Sequence, residues 1–61
     1  MESKYAGMTV NERLYVSGLV DVFDKYVSER NARKVRVVLR EIDITDELSI
    51  NAILEELGLQ D

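Results

Sequence analysis

Sixty-one residues carrying a net charge of −4 make one domain and no more, and a chain this short buries only about 60% of the surface its unfolded form exposes. Small folds usually lean on disulfides, a metal ion or a partner subunit; with no cysteine and no histidine, the first is absent and the second loses its commonest ligand. The same two absences exclude nucleophilic catalysis of the Ser–His or Cys–His kind, while 46% apolar residues is too many for a disordered chain.

The N-terminal "MESKYAGMTVNE" lacks the basic segment and apolar run of a secretory signal. Residues 1–7 read as a flexible, disordered leader, with Met8 an alternative start to Met1, and residues 8–61 as a single helical domain. No stretch approaches the 18 or so apolar residues that cross a bilayer, so a cytoplasmic location away from membranes is expected.

"TVNE", residues 9–12, fits a capping box with Thr9 as N-cap and Glu12 reaching back. From there one helix is predicted over 9–30. At about 100° per residue, Tyr15, Val16, Leu19, Val20, Val22, Phe23, Tyr26 and Val27 share an arc of roughly 160°. Phe23 is expected at the centre of the core. Val10 and Leu14 fall outside that arc and are free to meet something else. Gly18 reads as a glycine tolerated inside the helix, at a cost of up to about 1 kcal/mol against Ala.

"RKVRVVLREIDI", residues 33–44, has two periods. Alternation of Val35, Val37 and Leu39 suggests a strand, but that template puts Glu41 on the apolar side and Val38 on the polar one. The helical template takes Val35, Val38, Leu39 and Ile42 and leaves only Val37 outside. No second alternating run exists to pair with a strand. A helix over 32–42 is therefore predicted, with Asn31 as its cap. "DITDELSINAILEELGLQ" supplies a third helix over 46–57, capped by Thr45 or, in competition, Ser49. Ile50, Ile53, Leu54 and Leu57 form its stripe, and Gly58 is placed for a left-handed ending with Leu59 folded back on Leu54. The expectation is an all-α, compact three-helix domain.

"MTVNERLYVSGL" and "ILEELGL" resemble the two ends of small uncharacterised bacterial proteins with a charged middle helix and a "TDE"-type turn. The likeness covers most of residues 8–59. It implies a bacterial, cytoplasmic origin and carries no activity.

Charge is arranged in blocks: five acids and three bases in 1–29, five bases and no acid in 30–40, seven acids and no base in 41–61. The simplest reading is a basic helix packed beside an acidic one. The sharper reading is a basic patch, Arg33, Arg36 and Arg40, for an acidic partner. Nucleic acid is not expected as that partner. In a helix-turn-helix the third helix would enter the groove, and here it brings Asp46, Glu47, Glu55 and Glu56 with no Arg or Lys against phosphates. A weak contact through the basic helix remains the second alternative.

Catalysis is not expected, and neither is a cofactor or a metal. Asp43 with Asp46 and Glu55 with Glu56 are paired carboxylates without a cleft to shift them. A calcium loop starting at Asp43 would need Gly at 48 and Glu at 54, and Leu occupies both. No glycine-rich phosphate loop is present. What remains is a protein–protein interaction module, expected to form a homodimer through Val10, Leu14, Val16 and Val20, with Val37 as an outer apolar spot. The alternative is a small regulator or inhibitor, of antitoxin or phage type, that binds a different protein.

Overall fold

A computed structural model describes residues 4–59. Four helices, α1 (Val10–Ser17), α2 (Val20–Ser28), α3 (Ala32–Glu41) and α4 (Glu47–Glu56), follow one another, and the described residues contain no strand. The fold is all-α as expected, but it has four helices rather than three.

The single helix expected over 9–30 is broken at Gly18, whose φ of 76° is left-handed. The Gly18 N–H donates to the Tyr15 carbonyl at 3.2 Å and the Leu19 N–H to the Leu14 carbonyl at 3.0 Å. These two bonds close a Schellman ending. A glycine read as tolerated is thus the stop signal. The break also reorients α1, which is why Val10 and Leu14 fell off a wheel drawn through both helices. Their wheel was the wrong one.

The other three helices end in the same way. Left-handed residues stand at Arg30, Asp43 and Gly58, and the next N–H reaches back five residues: Asn31 to Tyr26, Ile44 to Leu39, Leu59 to Leu54. Leu59 is buried, as its expected fold-back requires. The starts are equally local. Thr9 and Glu12 form the expected capping box, with the Thr9 N–H donating to Glu12 Oε1 at 2.9 Å. Asn31 Oδ1 accepts from the Lys34 N–H. The cap of α4 is Asp46, not Thr45 or Ser49: its carboxylate accepts from the Ser49 N–H at 2.7 Å. A charged acceptor one residue nearer the helix wins over a hydroxyl, because it also faces the positive end of the helix dipole.

Val35, Val38, Leu39 and Ile42 are all buried, so the helical period of residues 33–44 is the real one. They meet Ile50 and Leu54 of α4, Leu14, Phe23 and Leu59. Tyr5 joins them, only 4% exposed, with the Lys4 ammonium 5.1 Å from its ring centre. The flexible leader expected over 1–7 therefore does not extend through Tyr5; residues 1–3 lie outside the described residues. Arg13 ties this end down, donating from Nε to the Met8 carbonyl and from Nη1 to the Ile42 carbonyl, both at 3.1 Å.

Candidate functional site

Packing follows chain order: α1 on α2, α2 on α3, α3 on α4. The thinnest dimension is 15 Å, about one interhelical spacing plus the width of a helix backbone. Two layers fit in that thickness and a third does not. The first and last helices do not pack on each other. Between them runs a groove of about 310 Å³, with Phe23 as its floor, Val10, Ile53 and Leu57 as apolar walls, and Thr9, Asn11 and Glu56 at the rim.

Each wall has a local cause. Val10 begins α1 directly after the N-cap Thr9, so its position is set by the two hydrogen bonds of the capping box. Ile53 and Leu57 form the outer half of the α4 stripe, whose inner half, Ile50 and Leu54, is fully buried. In the sequence the whole stripe reads as core, and nothing in its spacing separates the buried half from the half-buried one.

The expected interface residues are dispersed by the fold. Leu14 is 3% exposed and part of the core rather than of an open surface, because the wheel of α1 ends at Gly18 and turns it inward. Val10 lines the groove. Val16, 57% exposed, lies with Ser17 and Leu19 around a different hollow shared with Lys4, Tyr5, Glu41 and Asp43. Val20 stands at the edge of the α2 stripe and Val37 on the outer face of α3, about half exposed. Tyr15 and Leu48 are more exposed than any of these. Tyr15 shares the apolar arc drawn over residues 15–27, yet it stands in solvent because that arc is split at Gly18.

The basic segment is divided in two. Arg36 Nη1 lies 3.2 Å from Glu47 Oε1 and Arg40 Nη2 3.5 Å from Glu47 Oε2. Arg36 also donates to Asn51 Oδ1 at 3.1 Å. One carboxylate of α4 thus joins two arginines of α3, the simpler of the two readings of the charge blocks. Such exposed pairs are worth at most about 1 kcal/mol each. Arg30 donates from Nη2 to the Gly58 carbonyl at 2.7 Å. Arg33 and Lys34 stand with Arg36 around an open hollow at the start of α3. The patch of Arg33, Arg36 and Arg40 therefore has one arginine outside the ion pairs with Glu47.

Among the described residues two carboxyls are perturbed, and both belong to helix N-terminal caps. The Thr9 backbone N–H, then its hydroxyl, holds Glu12 below the ordinary glutamate range. The Ser49 backbone N–H, then its hydroxyl, does the same for Asp46. Among the described residues no three metal-ligating side chains cluster, and no helix is long and apolar enough to cross a membrane. The chain matches no protein-family model, and no curated protein or solved structure is significantly similar to it.

Proposed function

We propose that this protein is a non-catalytic interaction module that uses the α1–α4 groove to bind a helical surface, first that of its own copy, with a homodimer as the smallest assembly. The observation behind this reading is the groove itself, an apolar slot between two helices whose backbones stand apart. Covering a few hundred Å² of such surface at about 25 cal/mol per Å² adds several kcal/mol, before the entropy of association is charged against it. A fold of this size has use for that stabilisation. The resemblance of the two chain ends to small bacterial proteins suggests the bacterial cytoplasm as the setting.

Nucleic acid is not part of the proposal, because Asp46, Glu47, Glu55 and Glu56 are all exposed on or beside α4 and would repel phosphates. Sedimentation equilibrium at tens of micromolar tests the reading. A mass above the monomer is expected, and Leu57→Gln, at the half-buried C-cap of α4, should lower it while circular dichroism stays helical. A monomer throughout would rule out self-association and leave a different protein as the occupant of the groove.

A further inference from the structure

The proposal of self-association leaves open which part of a second copy enters the groove. Among the described residues six large apolar side chains are exposed: Tyr15, Val16, Val20, Val22, Val37 and Leu48. The rim of the groove carries one charge, that of Glu56, and the adjoining Glu55 is also exposed. An entering surface should therefore be apolar at its centre and basic at its edges.

Helical spacing sorts the six, since neighbours on a helix surface are three and four residues apart. Tyr15 and Val16 have Glu12 beside them, and Val20 has Asp24. Leu48 follows Glu47 and shares its face with Glu55. Val22 adjoins Lys25 but is more covered than Val37. Val37 alone is ringed by bases: Arg33 and Lys34 one turn before it and Arg40 one turn after, against the single acid Glu41. Of these, Arg40 is already engaged by Glu47. Arg33 and Lys34 make no side-chain bond to the described residues and can meet a carboxylate of another molecule.

We infer that the occupant of the α1–α4 groove is the outer face of α3 of a second copy, with Val37 set against Val10, Phe23, Ile53 and Leu57, and with Arg33 and Lys34 meeting Glu56. The two surfaces are different patches, so the contact is heterologous. Its strength should fall with added salt, because its charged edge remains exposed.

Charge reversal tests this without threatening the fold. Acids at positions 33 and 34 fall in the first turn of α3 and a lysine at 56 falls in the last turn of α4, where the helix dipole favours each. In sedimentation equilibrium, R33E/K34E and E56K should each weaken self-association by at least about tenfold. Mixing the two variants should restore it, because a reversed rim then meets a reversed face. Wild-type association left unchanged in both variants would overturn this assignment while keeping self-association intact. A wild-type chain that stays monomeric at hundreds of micromolar would overturn the reading on which it rests.

Discussion

The two halves of the chain are built differently. Five of the described side chains have almost no exposure at all, and all of them, Val35, Leu39, Ile42, Ile50 and Leu54, belong to α3, its cap or α4. The first half contributes Tyr5, Leu14 and Phe23 from its edges while leaving Tyr15, Val16, Val20 and Val22 outside. The second half is the centre and the first half is a cover laid over part of it. A cover made of two short helices with an elbow between them cannot close over both sides of α4. The groove is the side left open.

The largest expected effect comes from breaking the centre. Leu39→Ala should cost about 4–5 kcal/mol, the upper part of the range for a fully enclosed leucine, against a total of roughly 3–9 kcal/mol for a domain of this length. Phe23→Ala should cost less, about 3 kcal/mol, because the groove beside it lets the space fill with water. Urea titration of both variants checks the order. A Phe23 variant less stable than the Leu39 variant would mean that the cover, not the centre, holds the fold.

The elbow comes next. A Cβ at Gly18 would meet nothing within 4 Å, so Gly18→Ala measures backbone strain alone, about 1–2 kcal/mol. The melting curve should shift without losing its shape. No shift at all would mean that α1 can run on into α2 as one helix.

A smaller change of opposite sign is expected in the second half. Asp43, at φ 64°, and Arg30, at φ 55°, hold left-handed conformations without being glycine, so a glycine at either position relieves backbone strain of up to about 1 kcal/mol. Arg30→Gly also gives up the 2.7 Å bond to the Gly58 carbonyl, so Arg30→Lys, which removes that bond and keeps the strain, should melt lower than Arg30→Gly. Equal melting of Arg30→Lys and Arg30→Gly would show that the left-handed backbone at Arg30 costs nothing.

The smallest effect is on acid stability, and it touches both halves. Glu12 in the first and Asp46 in the second are held below their ordinary pKa by bonds made only in the folded state. Their contribution is complete above the unfolded-state pKa and is lost as pH falls through the lower folded values. Stability should therefore drop at the bottom of the carboxylate range, and Glu12→Gln or Asp46→Asn should flatten that drop. An unchanged acid limb in both variants would remove the caps from the account.

Much of the second half was legible in the sequence. The stripe Val35, Val38, Leu39 and Ile42, the Asn31 cap and the Gly58–Leu59 ending are all short-range patterns whose reading needs no knowledge of distant residues. The candidate site was far less legible. Of the residues expected at an interface, Val10 lines the groove and Leu14 is in the core, while Ile53 and Leu57 were hidden within a stripe that reads as buried. Arg13, which bridges two helix ends through the Met8 and Ile42 carbonyls, gives no local sign of doing so.

What the sequence determines by itself is therefore helical class, the Thr9 and Asn31 caps, the Gly58 ending and the inward face of α3, because those depend on hydrogen bonds and spacings within a few residues. Whether Gly18 would be tolerated or would stop the helix was decided in three dimensions: the stop lets Leu14 and Phe23 both reach the core, which one straight helix could not do. The tertiary structure also decided that the backbones of α1 and α4 stand apart, because α1 is held on α2 and α4 on α3; neither pairing lays the first helix on the last, and the apolar groove is the consequence.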